Sequence, residues 1–228
     1  AQLLQRDRTL SATQRDALEA IAKCGSQLLD LINDVLDLSK IEAGRLDIDE
    51  SPTDLATLVA DLKYIVAESA DRKGLRLTTT IGEDVPRSVV LDARHLRQVL
   101  LNLLGNAIKF TAAGDVQLHV ARDGDERLAF TVTDTGIGIE PEALTKIFAA
   151  FTQTRSGAAA GGTGLGLAIS DHLIRRMGGE LVVRSELGAG SRFSFTLPLV
   201  QGREGEPLDA AVPPIDARLG PGQTLSAL

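Results

Sequence analysis

The stretch NLLGNAIKF, Asn102 to Phe110, constrains the fold more tightly than any other part of the chain. Asn102, Asn106 and Lys109 recur at i, i+4 and i+7, which sets three polar side chains on one stripe of a helix. Leu96, Val99, Leu100, Leu103, Leu104, Ala107 and Ile108 cover most of the remaining circumference, so the helix is expected to pack on several sides. Two amides and an ammonium turned towards an interior are costly without partners. Amide oxygens suit a hard cation and a lysine suits phosphate, so a metal ion and a polyphosphate would together supply those partners. On this segment alone, a stripe facing water is the competing reading.

The whole chain narrows the classes. With 228 residues, 43% of them hydrophobic, it is long enough for one sizeable core and a smaller element. The formal charge of -7, from 24 basic and 31 acidic residues, and the lack of a basic cluster interleaved with aromatics argue against nucleic acid as a partner. No apolar run approaches the roughly 20 residues that span a bilayer, and the first residues do not read as a signal peptide. The chain as given is therefore expected to be soluble and cytoplasmic, with no membrane contact. Cys24 stands alone, which rules out an internal disulfide and reads as a small helix-packing residue.

Ser11-Ala12-Thr13-Gln14 has the form of a capping box and opens a helical pattern running to about Ala43, before Gly44. Leu18, Ile21, Gly25, Leu28, Ile32, Val35 and Ser39 step by threes and fours as a heptad seam, widened by Leu29 and Leu36. Such a seam needs a partner. Gln2-Leu3-Leu4 reads as the stump of a second helix, and a hairpin dimerising into a four-helix bundle completes the pattern; a lone helix packed on the following domain is the alternative. Beyond Gly44, Leu46 and Ile48 alternate with polar residues as a strand that Pro52 stops, and Leu55 to Val66 reads as an amphipathic helix. Strands near 75–81, 116–121, 128–133, 181–184 and 193–197 and helices at the Asn stripe and near 164–177 follow. From Gln201 onward the chain holds four of its eight prolines and no periodicity, so it reads as a linker.

Two further signals lie downstream. Asp134-Thr135-Gly136-Ile137-Gly138-Ile139 follows the strand LAFTVT, with glycines where a flat ligand would approach the backbone. A carboxylate there can accept from an exocyclic amino group and so select adenine over guanine, although a plain strand-to-loop turn has the same form. Gly161 to Leu167 forms a glycine-rich loop opening a helix, after the small residues SGAAA, and offers free N–H groups to phosphates. It lacks the Gly-Lys-Ser/Thr ending of a P-loop and does not follow a strand as a dinucleotide fold requires.

The order of Asn stripe, Asp-Gly turn, Phe148-x-x-Phe151 and glycine-rich loop resembles the ATP-binding domain of sensor histidine kinases, in the superfamily shared with gyrase and MutL ATPases. The resemblance covers about residues 90 to 198, and the N-terminal part resembles the dimerisation and phosphoacceptor hairpin of the same kinases. The wording KFT, FxxFxQ and GTGLGLAI is most similar to hybrid kinases, in which a receiver domain follows. The fold implied is α+β: a two-layer α/β sandwich of the Bergerat type preceded by a helical hairpin that forms a dimeric four-helix bundle. The domains implied are a partial hairpin at 1–44, the ATP-binding domain at 45–200 and a linker at 201–228. Residue by residue, the resemblance implies that Asn106 binds Mg2+, Asn102 assists it and Lys109 contacts phosphate. Asp134 would bind the adenine amino group in a pocket shaped by Gly136 and Gly138. Phe148 and Phe151 would anchor a lid spanning about 152–161. Gln153 falls where some relatives contact phosphate, and Gly162, Thr163, Gly164, Leu165 and Gly166 would line the phosphates.

One position separates reaction classes. Gyrase-like relatives carry a glutamate four residues before the metal-binding asparagine, as general base for water; this chain has Asn102 there. An amide takes no proton from water at neutral pH, so transfer of the γ-phosphoryl group to a better nucleophile is expected rather than hydrolysis. In the kinases resembled, the nucleophile is a histidine followed by an acidic residue, one further residue and Arg-Thr-Pro, and that motif does not occur here. His95, His119 and His172 read as ordinary surface or packing residues. Ala1 to Gln5 resemble the hairpin just beyond the acceptor motif, so the chain is expected to bind ATP and dimerise without phosphorylating itself. The resemblance implies a receiver domain or response regulator as partner. An ATPase switch and a dimerisation module with a vestigial nucleotide site are the alternative functions.

Overall fold

The computed structural model describes residues 11–42, 47–152 and 163–202. Helix α1, Ala12–Glu42, starts at the expected box: the Ser11 N–H donates to Gln14 Oε1 (2.9 Å) and the Gln14 N–H to Ser11 Oγ (3.2 Å). Ile21, Leu28, Leu29, Ile32, Val35 and Leu36 of the heptad seam are 41% to 63% exposed, while Leu31 and Leu38, off that seam, pack against the core. The helix thus has two apolar faces, of which one is covered within the chain. The stump Gln2-Leu3-Leu4 and the Gly44 helix stop lie outside the described residues.

Of the strand expected around Leu46 and Ile48, Leu46 lies outside the described residues and Ile48 is in no strand; β1, Ser51–Asp54, follows, and it contains Pro52 rather than ending at it. This is tolerated because β1 pairs only with β3, Ser88–Leu91, in a two-stranded antiparallel sheet, so the ring's missing N–H interrupts no central ladder. Between them run α2, Leu55–Arg72, and β2, Arg76–Ile81; after β3 come α3, Ala93–Phe110, β4, Asp115–Asp123, and β5, Arg127–Asp134. A single turn, α4, Pro141–Leu144, precedes α5, Gly166–Arg176, β6, Glu180–Glu186, and β7, Gly190–Pro198. Gln201 still bridges Val89 of β3, and the Gly202 N–H donates to Ser88 O, so the first two residues expected in the linker lie against the domain.

The main sheet has the order β2-β4-β5-β7-β6, with β2 parallel to β4 and every other pair antiparallel. Alternation decides its faces: Val116, Leu118 and Val120 of β4, Leu128, Phe130 and Val132 of β5 and Phe193, Phe195 and Leu197 of β7 are buried. Phe130 and Phe195 stack at 5.0 Å across the β5–β7 pair. Helices α2, α3 and α5 lie on that face, which makes the two-layer α/β sandwich.

Both ends of α3 are tied. Asp92 caps its start, accepting from the His95 N–H (2.9 Å), the Asp49 N–H (2.9 Å) and His95 Nδ1 (2.6 Å). Burial works to raise the Asp92 carboxyl, but these bonds outweigh it and hold the group below the usual carboxylate range. At the other end Lys73 Nζ, from the end of α2, donates to Ile108 O (2.7 Å), Lys109 O (2.8 Å) and Thr111 O (3.3 Å), placing a cation where the last helical carbonyls are unpaired. Arg97 and Asp61 pair at 3.1 Å between the same two helices. Replacing Lys73 by Met keeps the stem but removes the charge-assisted bonds, and is expected to lower stability by about 1–3 kcal/mol in urea unfolding; an unchanged midpoint would show that the clamp contributes nothing.

Candidate functional site

Along α3 the sequence places Asn102, Asn106 and Lys109 at the seam between the buried face and solvent, and all three are half-buried. The amides form a relay. Asn106 Nδ2 donates to Asn102 Oδ1 (3.3 Å), and Asn102 Nδ2 donates to Ser170 Oγ on α5 (2.8 Å). Both ends of the Asn102 amide are thereby committed, whereas Asn106 enters the relay through its NH2 alone. Lys109 Nζ lies over the Phe110 ring, 5.3 Å from its centre, and desolvation pushes its ammonium below the usual lysine range.

Strand β5 explains the position of Asp134. The inward series Leu128, Phe130, Val132 continues at Asp134, so the register sets a carboxylate where the pattern otherwise places an apolar side chain. It is 6% exposed. Burial pushes its carboxyl above the usual range, while N–H donors from Gly136 (2.8 Å) and Ser191 pull it part of the way back. The following loop has no room to spare. A Cβ on Gly136 would stand 2.5 Å from Phe110 O and 2.8 Å from Asp134 Oδ1, and Gly138 has φ +70° with the Glu186 backbone against it. The Ile137 N–H donates to Phe110 O (3.3 Å), and Thr111 Oγ1 donates to Ala107 O (2.7 Å). The end of α3 and the Asp-Gly loop are therefore one corner.

At the opening of α5, Phe148 packs half-buried on the core, while Phe151 is 65% exposed with φ +61° and donates its N–H to Gly164 O (3.0 Å). Gly164, φ +73°, leaves no space for a side chain beside Phe151 and Thr152. Leu165 is fully buried in the core, so only its main chain is available to a ligand, and its N–H donates to Thr163 Oγ1 (3.2 Å). Gly166 backs directly onto the Asn102 amide. Gln153 and Gly162, with all of the expected lid beyond Thr152, lie outside the described residues.

The structure thus brings Asn102, Asn106 and Gly166 together, sets Gly164 against Phe151 and Thr152, and joins Lys109 to Asp134, Gly136 and Gly138 through the Phe110 corner. Ser170, Thr111 and Ser191 were missed by sequence reasoning. The one signal for Ser170 is its spacing of one helical turn from Gly166. His95 is buried on Asp92, His119 sits on the open sheet face with Nδ1 2.7 Å from Thr80 Oγ1, and His172 lies on α5. No group of three or more His, Cys, Asp or Glu fit to hold a metal occurs among the described residues, so a cation here would rely on Asn106 and on oxygens of its ligand.

A family model described as "Histidine kinase-, DNA gyrase B-, and HSP90-like ATPase" matches residues 91–201, and one described as "His Kinase A (phospho-acceptor) domain" matches residues 1–44. Hybrid signal transduction histidine kinase B of Dictyostelium discoideum is 44% identical over 204 residues, covering 87% of this chain and 10% of its own length. Aerobic respiration control sensor protein ArcB of Escherichia coli (strain K12) is 40% identical over 194 residues, covering 84% and 25% respectively. The chain thus spans a quarter or less of these relatives. Full-length ShkA in complex with AMPPNP superposes with a TM-score of 0.75 at 37% identity, covering 87% of this chain and 42% of that one. The sandwich is the Bergerat-type fold implied by the sequence boxes.

The raised Asp134 carboxyl carries a pH signature. The unfolded chain releases this proton before the folded one does, so stability falls as pH rises from the usual aspartate range through the higher folded value. Asp134→Asn is expected to remove that component: measured by denaturation between mildly acid and neutral pH, the variant gains on the unsubstituted protein as pH increases. Parallel pH profiles would contradict the burial argument.

Proposed function

Because the chain belongs to the sensor histidine kinases, we propose that its α/β layer binds ATP with Mg2+ and presents the γ-phosphoryl group to a histidine, from which it passes to a receiver aspartate. The observation that carries this reading is the buried Asp134 at the end of β5, sharing a corner with the polar stripe of α3. A carboxylate set in an apolar face is costly unless a ligand uses it, and the adenine amino group is a donor of the right kind. Gly136 and Gly138 keep the space beside it flat. Lys109, stripped of part of its water, exchanges the remainder for phosphate oxygens.

Asn106 would hold Mg2+ through its uncommitted amide oxygen, and the ion would supply positive charge to offset that of the phosphates. Asn102, bonded at both ends, takes no proton from water, which supports phosphoryl transfer over hydrolysis. Catalysis then rests on positioning. The γ-phosphorus leaves the β-phosphate oxygen and bonds to an imidazole nitrogen in line, with ADP as the leaving group. Residues 1–44 hold no histidine, so the acceptor is supplied from outside them. The exposed seam of α1, from Ile21 to Leu36, fits a second copy of the chain in a four-helix bundle, and a receiver domain is the onward partner.

Calorimetric titration tests the nucleotide assignment. The chain is expected to bind a non-hydrolysable ATP analogue with Mg2+, and Asp134→Ala to lose that binding with an unchanged circular dichroism spectrum; retained affinity would sink the adenine assignment. With labelled ATP, the chain alone is expected to gain no acid-labile, base-stable label. Such label on this chain would place the acceptor among His95, His119 and His172 instead.

A further inference from the structure

Sequence reasoning supplied the two asparagines, but an asparagine amide has two nearly isosteric ends, and only one of them suits a cation. What matters at Asn106 is which end faces outward. An oxygen there is a ligand, whereas an NH2 there repels the ion. The outcome is set two residues away. Asn106 points Nδ2 at Asn102 because Asn102 offers Oδ1, and Asn102 offers Oδ1 because its Nδ2 is taken by Ser170 Oγ at 2.8 Å. Ser170 is 2% exposed, one turn along α5 from Gly166 and on the same side. A Cβ on Gly166 would stand 3.0 Å from Asn102 Cγ and 3.1 Å from its Nδ2, so the amide lies flat against the α5 backbone. The glycine supplies the close approach, and the serine supplies the polarity.

We infer that Ser170 is a positioning residue that fixes the polarity of the Ser170–Asn102–Asn106 relay and so keeps the Asn106 oxygen turned towards the cation; this rests on the Mg-ATP reading above. The hydroxyl suits the task. A helical serine's proton is drawn to the carbonyl one turn earlier, which leaves oxygen lone pairs for the Asn102 NH2. With the opposite polarity Asn102 would present Nδ2 to Asn106, whose own amide would turn and direct its NH2 outward. Without an acceptor at 170 neither orientation is favoured, and the Asn102 NH2 is left against α5 without a partner.

The effect separates cleanly from adenine recognition, because Asp134 and its loop belong to a different corner. Titration of an ATP analogue is therefore made twice, with Mg2+ and in excess EDTA, on the unsubstituted chain and on Ser170→Ala, Ser170→Val and Ser170→Thr. The Ala and Val variants are expected to lose about tenfold of the Mg2+-dependent gain in affinity, to bind as before in EDTA and to remain folded by circular dichroism at the temperature of the titration. Ser170→Thr retains an acceptor oxygen and is expected to retain the Mg2+ gain. Equal losses with Mg2+ and in EDTA would mean that Ser170 acts only on the shape of the site, and no loss would mean that the relay does not set the amide; either overturns the inference. If the unsubstituted chain binds no nucleotide under either condition, the Mg-ATP reading fails and this inference with it. Normal EDTA binding beside an unaltered Mg2+ response in Ser170→Ala defeats the inference alone.

Discussion

Seven apolar side chains of α3, from Leu96 to Ile108, are driven into the sheet and its neighbouring helices, and their burial fixes the rotation of this helix about its own axis. Each buried leucine contributes on the order of 1.5–3 kcal/mol, against about 0.5–1.5 kcal/mol net for a typical hydrogen bond. Turning α3 by one residue, about 100°, would bring leucines out and carry Lys109 inward, a cost that no rearrangement of two amides repays. The polar stripe therefore faces where the leucines leave it. Its chemistry depends on a core that has none.

Position along the axis is set separately, by Asp92 at one end and Lys73 at the other. Lys73 reaches the same turn, 108–111, whose Phe110 carbonyl accepts from the Ile137 N–H. The polar stripe of α3 and the Asp-Gly loop are consequently held by a shared piece of backbone, and a ligand touching both would meet a spacing fixed before it arrives. Preorganisation of this kind reduces what binding must order.

The apolar periodicity of α2 and α3 and the alternation in β4, β5 and β7 were legible because one face of each element is buried in a single core, so burial and pattern coincide; the seam of α1 was equally legible, but it lies exposed, and Leu31 and Leu38 beside it make the contact with the core. The strand expected at Ile48 failed for the complementary reason: β1 is a four-residue edge strand whose pairing with β3, rather than its own pattern, defines it. β3 and α4 are too short to show a period. At the site, Asn106 and Asp134 stood out since polar side chains interrupted apolar series. Ser170, Thr111 and the Ser191 N–H did not, because each acts through a contact between elements distant in sequence, and a serine in a helix has no pattern to break. Gly166 and Gly164 were legible as glycines but not in their reasons: one makes room for Asn102, the other for Phe151 and Thr152.

The buried carboxylate at the end of β5 has a consequence for the lifetime of the protein. The Gly136 and Ser191 N–H groups compensate this carboxylate only in part, so its burial in the apolar layer subtracts from the stability the core supplies. A ligand bound only by the folded form adds RT ln(1 + [L]/Kd), about 2.7 kcal/mol at a hundredfold excess over Kd. A nucleotide bound there would be part of what keeps the chain folded, and its withdrawal would leave more molecules open to proteolysis.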